Sequence, residues 1–172
     1  KLRKEVLVHS SFGEDCSIID FGDSVAVLST DPITGADIHS SHLAVYVSCN
    51  DVAACGAEPI GILVTLLLPI GSSESLLKEL MKGINEAANK VGIEILGGHS
   101  EITSAVSKSI ISTTAIGITS KDKYVTSSGA KPGDAIIVTK TLGLEGSAIL
   151  ASDFEEFLIK KLPRETIEKA KD

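Results

Sequence analysis

Short apolar runs, rich in branched side chains and bounded by Gly, Asp or Pro, recur along the first part of the chain. Runs of this kind are typical of buried strands. They predict strands at 24–30, 62–68, 93–96 and 109–119, and a short edge strand at 16–21. The stretches between them have a different pattern, which predicts helices.

Apolar residues recur at helical spacing from Ser73 to Val91, which predicts a helix with one apolar face. A serine at 72 or 73 can cap its start, and Gly92 can end it. A second helix is predicted at 41–55, with glycine next and proline shortly beyond. Its Val-Tyr-Val run at 45–47 also suits a strand, because β-branched residues favour extended backbone.

The alternation of strands and helices predicts an α/β (α+β) fold for roughly the first 120 residues. The run SSGAKPGD at 127–134 has the composition of a loop, and AIIVT at 135–139 predicts the first strand of a new unit. Three further helices are predicted at 144–151, 154–162 and 165–171. We therefore expect one domain at 1–126 and the incomplete beginning of a second α/β domain at 127–172, cut from a longer protein.

The composition of the chain argues against some classes of binding partner. Sixteen basic residues against 23 acidic ones give a net charge of −7, which argues against a nucleic-acid partner. An acidic chain can still bind a polyphosphate through magnesium and backbone N–H groups. The apolar run at 60–70 is too short to cross a bilayer, so no membrane partner is expected. Three cysteines without paired spacing predict neither a disulfide framework nor a zinc site, which favours a cytoplasmic location.

Three carboxylates fall where a strand or a helix meets a loop: Asp15, Asp31 and Asp51. Side chains at such ends can converge on one magnesium ion, which prefers oxygen ligands and bridges carboxylates to substrate phosphates. Each also has a plainer interpretation, as a turn residue at 15 and 31 or as a solvated helix position at 51. Asp51 lies on a helix face that is otherwise small and apolar, and a buried carboxylate there needs a partner.

The second candidate is the run Gly97-Gly98-His99-Ser100-Glu101, which follows the strand predicted at 93–96. Paired glycines let backbone N–H groups approach phosphate oxygens, and the polar side chains after them offer donors or metal ligands. The plainer interpretation is a glycine bend between two strands. The run matches neither the P-loop nor the dinucleotide fingerprint.

The remaining histidines and cysteines suggest no further site. His9, His39 and His42 lack the spacing of a zinc helix and are interpreted as surface or cap residues. Cys49 and Cys55 lie in the apolar helix predicted at 41–55, where small buried thiols are common.

Five segments occur in a characteristic order: GEDCSIID, STDPITG, SCNDVAACGAEP, ILGGHSEIT and GDAIIVTKTLGLEGSAILASD. Together they resemble the aminoimidazole ribonucleotide synthetase-like (AIR synthase-related) superfamily over nearly the whole chain. STDPITG and GGHSE are most similar to its hydrogenase expression/formation (maturation) branch. That branch and the thiamine-monophosphate kinases usually carry an acidic residue where His99 stands.

The resemblance implies an amino-terminal domain with a mixed sheet, helices on one face, and sheet pairing across a homodimer. It also implies cofactors, ATP and Mg2+, with metal ligands at Asp15, Asp31 and Asp51. The ATP and phosphate site would comprise the residues at these and adjoining motif positions: Asp15, Asp31, Asn50, Asp51, Gly97, Gly98, His99 and Glu101. No catalytic residue is assigned, because the acceptor pocket of the family belongs to the second domain.

The implied activity is phosphorylation of an amide or carbonyl-type oxygen with release of ADP, in hydrogenase maturation. The acceptor would be a small molecule or a protein-borne group, and a maturation protein would be a partner. One alternative is a non-catalytic dimerisation and assembly module of the same fold. Another is a relative of selenophosphate synthetase or thiamine-monophosphate kinase.

Overall fold

The structure, a computed structural model, describes residues 3–34 and 40–171. Its strands are β1 (Val6–Val8), β2 (Ser17–Asp20), β3 (Ser24–Ile33), β4 (Glu58–Pro69), β5 (Glu94–Thr103) and β6 (Ile110–Ser120). Its helices are α1 (Ser40–Ala54), α2 (Glu74–Val91), α3 (Leu144–Asp153), α4 (Glu155–Leu158) and α5 (Arg164–Lys171). The chain divides into two compact units, one ending at Gly129 and the other starting at Ala130.

The first unit is built on a six-stranded sheet in the order β1-β2-β3-β6-β4-β5. β4 and β5 are parallel and are connected through α2, while the other neighbouring strands are antiparallel. The sheet is therefore mixed, as predicted. α1 packs on β3, β6 and β4, and α2 packs on α1 and β5, so the core lies between one sheet face and two helices.

Strict alternation along the strands decides which side chains enter this core. In β3, Val25 and Val27 are fully buried against the helices. The intervening positions point to the opposite face, which carries apolar side chains that remain exposed in the single chain. Leu63 of β4 is 42% exposed there, and Ile118 of β6 is 45% exposed.

The two predicted helices of this unit are confirmed. Ser73 caps α2, because its side-chain oxygen accepts a hydrogen bond from the N–H of Leu76 at 3.2 Å. Gly92 ends the helix in a left-handed conformation with φ of 83°. Packing on the sheet outweighs the β-branched residues of α1, of which Val45 is fully buried.

Two features of the sheet differ from the sequence expectations. The strand predicted at 16–21 is not an edge strand, because β1, which the sequence did not reveal, pairs outside it through Val6 and Ile19. The strand predicted to end at Leu96 continues as β5 to Thr103, so Gly97 and Gly98 lie within a strand and not in a bend. Pairing with β4 extends the strand, since every residue from Gly97 to Thr103 has a partner there.

In the second unit, the strand predicted at 135–139 is wrong. Ile136 and Ile137 are 95% and 86% exposed, and this stretch has no strand pairing in the part of the chain that the structure describes. A strand needs a neighbour to satisfy its backbone groups. The first and last predicted helices of this unit form as α3 and α5, whereas the middle one is shortened to α4.

His39 and the final glycine of STDPITG, Gly35, lie outside the described residues. Within residues 3–34 and 40–171, no helix has both the length and the apolar character needed to cross a membrane.

Candidate functional site

Asp31 and Asp51 meet at one buried hydroxyl group. Ser29 and Asp31 are two residues apart in β3 and face the helices, and α1 places Asp51 over the same strand. The Ser29 hydroxyl donates a hydrogen bond to Asp51 Oδ2 at 2.8 Å and lies 3.3 Å from Asp31 Oδ2. Ser29 itself is only 3% exposed. The fold thus joins two of the three predicted carboxylates.

The environment of Asp51 disfavours its charge. Burial raises the pKa of Asp51 to about 6; the Ser29 hydrogen bond opposes this rise, and the neighbouring carboxyl of Asp31 adds to it. Asp15 is near enough to raise the pKa of Asp51 slightly further through like charge. A cation at this point would relieve the repulsion among these carboxylates.

A cleft of about 380 Å³ includes Ser29 in its lining, but neither Asp31 nor Asp51. The loop before β2 lines one side with Glu14 and Asp15, while β3 contributes Ser29 and Thr30. Thr114 of β6 completes this side of the cleft, and its hydroxyl donates to the Thr30 hydroxyl at 2.9 Å. Carboxylates and hydroxyls at the edge of a cleft of this size suit a solvated cation with a polar ligand.

Gly97 and Gly98 lie elsewhere, on the edge strand β5. Gly98 has a φ of 150°, and a Cβ atom there would lie 1.8 Å from the carbonyl oxygen of Val64. The close approach of β4 is therefore sufficient to explain the glycine, and no ligand is needed to account for it. A smaller cleft of about 260 Å³ runs along this edge, lined by Gly97, Gly98, His99, Ser100 and Met81 among others.

The strand register gives the separation between the two candidate regions. Asp31 pairs with Thr113 of β6, Thr113 pairs with Val64 of β4, and Val64 pairs with Gly98. Asp31 and Gly98 therefore share one row across the sheet, about 14 Å apart at the usual strand spacing. Within one chain, the predicted site residues form two separate groups.

The other predicted residues follow this division. Asn50 is exposed on α1 next to Asp51. His99 and Glu101 are exposed on β5, with His99 Nε2 3.8 Å from Glu101 Oε2. His9 is exposed, and His42 is half-buried with Nε2 3.8 Å from Glu86 Oε2, in agreement with their interpretation as surface residues.

The two carboxylates at Ser29 are of the kind that magnesium binds. Within the described residues, no three His, Cys, Asp or Glu side chains form a preformed metal cluster. Magnesium does not require one, since it often takes one or two protein carboxylates together with waters and substrate phosphates. Asp31 and Asp51 fit this kind of coordination, because two neighbouring carboxylates share the one hydroxyl hydrogen of Ser29. Asp15 lines the cleft whose lining also includes Ser29.

Sequence reasoning missed two residues of this region. Ser29 was recognisable, because it precedes Asp31 by two positions in a strand and so must share its face. Ser127 donates from its hydroxyl to Glu14 Oε1 at 2.6 Å, and it lies so far along the chain that no local pattern could link the two.

Comparison with known proteins identifies the family of this chain. The family described as AIR synthase related protein, N-terminal domain, matches residues 13–119. The chain belongs to the AIR synthase related family. This match includes β2 to β6 with both helices of the first unit, and therefore both groups of candidate residues.

Two curated relatives of this AIR synthase related chain have names connected with hydrogenases or with carbamoyl dehydration. A putative hydrogenase expression/formation protein of Methanocaldococcus jannaschii is 35% identical over 153 residues, which are 83% of this chain and 45% of the relative. The carbamoyl dehydratase HypE of Cupriavidus necator is 33% identical over 119 residues, 68% of this chain and 33% of the relative. The chain thus spans less than half of the length of either protein.

Three solved structures are similar to this AIR synthase related chain. AaThiL complexed with AMPPCP and TMP is 25% identical with a TM-score of 0.71, over 87% of this chain and 48% of that one. A HypE–HypF complex is 28% identical with a TM-score of 0.62, over 70% and 41%. The hydrogenase maturation protein HypE in complex with ATP is 29% identical with a TM-score of 0.59, over 63% and 34%.

Proposed function

We propose that this chain is the ATP-binding part of a magnesium-dependent enzyme that phosphorylates an amide or carbonyl-type oxygen, releasing ADP, in hydrogenase maturation. The observation that carries the proposal is the meeting of Asp31 and Asp51 at the Ser29 hydroxyl, beside the cleft that Asp15 lines. The similarity to a HypE structure in complex with ATP and to a carbamoyl dehydratase supports the choice of nucleotide and reaction.

In this proposal, Asp31 and Asp51 hold the magnesium ion and Asp15 joins them from the cleft. The ion neutralises charge on the transferred phosphoryl group when it is bound. Ser29 orients the two carboxylates, and Asn50 offers an amide beside them. Catalysis in such a site depends on position and charge rather than on a covalent intermediate.

The phosphate contacts of Gly97, Gly98, His99 and Glu101 come from a second subunit in this proposal. The separation of about 14 Å within one chain motivates the assignment. The sheet face with exposed Leu63 and Ile118 supports a homodimer, because exposed apolar sheet surface is a common association surface. A homodimer could place β5 of one subunit near the carboxylates of the other.

The acceptor is a small molecule or a protein-borne group bound mainly outside this chain. The HypE–HypF complex supports a maturation protein as partner. The three free thiols, at Cys16, Cys49 and Cys55, support a reducing cytoplasmic location.

A kinase relative is the second candidate. AaThiL, solved with AMPPCP and TMP, has a TM-score of 0.71 to this chain, against 0.59 for HypE with ATP. A kinase would transfer the phosphoryl group to a phosphate acceptor and would leave the rest of the acceptor unchanged. Comparing thiamine monophosphate with a carbamoyl or thiocarboxamide acceptor in the same assay separates these two functions.

Calorimetry on the intact protein tests the proposal. We expect magnesium-ATP to bind the unaltered protein and to bind Asp31→Asn and Asp51→Asn at least tenfold more weakly, about 1.4 kcal/mol or more. Asp23→Asn, which changes an exposed turn residue of the same type, serves as the matched control. Equal affinity in all four proteins would overturn the proposal. Binding without phosphate release, with any acceptor, would favour the non-catalytic assembly module.

A further inference from the structure

Glu14 is held by three hydrogen bonds that no part of the proposed reaction uses. The N–H of Ser127 lies 3.2 Å from Glu14 Oε1 and 3.3 Å from Oε2, and the Ser127 hydroxyl donates to Oε1 at 2.6 Å. Both oxygens of this carboxylate are therefore engaged by one residue. Hydrogen bonds to a carboxylate are stronger than those between neutral groups.

The contact between Glu14 and Ser127 affects the backbone next to Asp15. Glu14 directly precedes Asp15, and both line the cleft of about 380 Å³. A turn closes the loop on its other side, where the N–H of Glu14 donates to the carbonyl of Ser11 at 3.2 Å. Fixing the Glu14 side chain therefore restrains the backbone that carries Asp15.

Ser127 belongs to residues 121–128 near the end of the first unit, which we call the strap. The N–H of Val125 in the strap donates to the carbonyl of Cys55 at 2.9 Å, directly after α1. A Cβ at Gly56 would lie 2.8 Å from the carbonyl of Lys123, so strap and helix end are in close contact. α1 also carries Asp51. The strap thus touches both the loop of Asp15 and the end of the Asp51 helix.

We infer that Glu14 is a positioning residue, whose carboxylate, held by Ser127 of the strap, sets the place of Asp15 relative to Asp51. In this inference, Glu14 acts on the position of Asp15 through its hydrogen bonds to Ser127 and not as a ligand of the cation. This inference rests on the proposed function, since it assigns Asp15 to the nucleotide site. It adds two residues, Glu14 and Ser127, that the nucleotide does not touch.

The chain offers a closely matched pair of substitutions for a test. Ser127→Ala removes the hydroxyl that bonds Glu14. Ser128→Ala, one residue further on, removes a hydroxyl whose one hydrogen bond among the residues that the structure describes is to Thr126 of the strap, at 3.1 Å. Glu14→Gln keeps the size of the side chain and replaces one acceptor oxygen with a donor that cannot pair with the N–H of Ser127. Ser127→Thr keeps the hydroxyl.

We expect Ser127→Ala and Glu14→Gln each to weaken magnesium-ATP binding to the intact protein roughly threefold to tenfold. The double variant should bind magnesium-ATP no more weakly than Glu14→Gln alone, because both changes break the same contact between Glu14 and Ser127. Ser128→Ala and Ser127→Thr should bind as the unaltered protein does. The melting temperature without ligand should stay the same in all variants, which a merely structural role would not allow.

Three results would overturn the inference. Unchanged binding in Ser127→Ala would do so, whether or not Glu14→Gln binds weakly. Equal weakening in Ser128→Ala would assign the effect to the strap in general. A lower melting temperature that accounts for the weaker binding would make the contact structural. Asp51→Asn in the same series separates the two proposals, since its normal binding would overturn the proposed function itself.

Discussion

Asp31 on a strand and Asp51 on a helix both lie against the single hydroxyl of Ser29, at 3.3 Å and 2.8 Å. A serine hydroxyl has one hydrogen to donate, so it can satisfy only one of the two carboxylates at a time. The other carboxylate must find a proton or a cation, or remain repelled by its neighbour. This shortage of positive charge is what distinguishes the pair from two ordinary surface acids.

Removing one charge should therefore stabilise the protein without ligand. The pKa of Asp51 is raised to about 6 in the folded state from 3.8 in the unfolded chain, so the folded state binds more protons between these values. The free energy of unfolding then falls as the pH rises from about 4 to above 6. Asp51→Asn lacks this loss, and we expect it to be more stable by about 1 kcal/mol at pH 7.5, after discounting for partial exposure.

The measurement is thermal unfolding of both proteins from pH 4 to pH 8 in a chelating buffer. The difference in melting temperature should be smallest near pH 4, should widen up to about pH 6 and should then stay nearly constant. Asp23→Asn should follow the unaltered protein at every pH. A variant that is less stable than the unaltered protein at pH 7.5 would show that Asp51 has a stabilising partner.

Cation binding should depend on pH for the same reason. A proton on Asp51 must leave before magnesium can bind there, so protons and magnesium compete. Below the pKa of about 6, the affinity should fall by up to about tenfold for each pH unit. Titrations with magnesium chloride alone at pH 5, 6, 7 and 8 measure this dependence through the shift in melting temperature. An affinity that stays constant from pH 5 to pH 8 would exclude Asp51 as a ligand.

The sequence could predict the features that depend on local patterns, but not the contacts between residues far apart in the chain. Alternation in β3 and periodicity in α2 are local, and α2 formed where it was predicted. β3 begins at Ser24 as predicted but continues to Ile33, so Asp31 lies within the strand and not after its end. The pairing of Asp31 with Asp51 follows from the same alternation once the helix packs on the sheet. The contact between Glu14 and Ser127 joins residues far apart in the chain, so no periodic pattern in the sequence predicts it.

Gly98 illustrates how one residue type admits two explanations. The sequence predicted a bend that approaches phosphate, whereas the structure places Gly98 in β5, where the backbone of Val64 leaves no room for a side chain. The glycine is thus explained by strand packing alone. The strand predicted at 135–139 failed for the opposite reason, since its apolar residues had no neighbouring strand to pair with.

Replacing Gly98 with alanine should consequently affect folding before it affects ligands. A Cβ atom 1.8 Å from the Val64 carbonyl forces β4 and β5 apart, and we expect a loss of about 3 kcal/mol or more. Gly71 also has a positive φ, of 91°, but has no atom within 4 Å of a Cβ, so Gly71→Ala should lose only about 1–2 kcal/mol. Urea unfolding compares the two. Equal losses would show that φ, and not the contact with Val64, determines the residue.

Mixed dimers can test whether β5 and the carboxylates of different subunits form one site. Asp51→Asn removes a carboxylate from one group, and His99→Ala changes an exposed residue of the other group, on β5. If each site takes one group from each subunit, a dimer of one Asp51→Asn and one His99→Ala subunit has one site with both changes and one intact site. Mixing the two inactive proteins in equal amounts should then restore about a quarter of the ATP turnover.

Each variant mixed with itself should stay inactive. If mixing restores nothing although mass spectrometry detects the mixed dimer, both groups act within one chain. An active His99→Ala protein would exclude His99 directly.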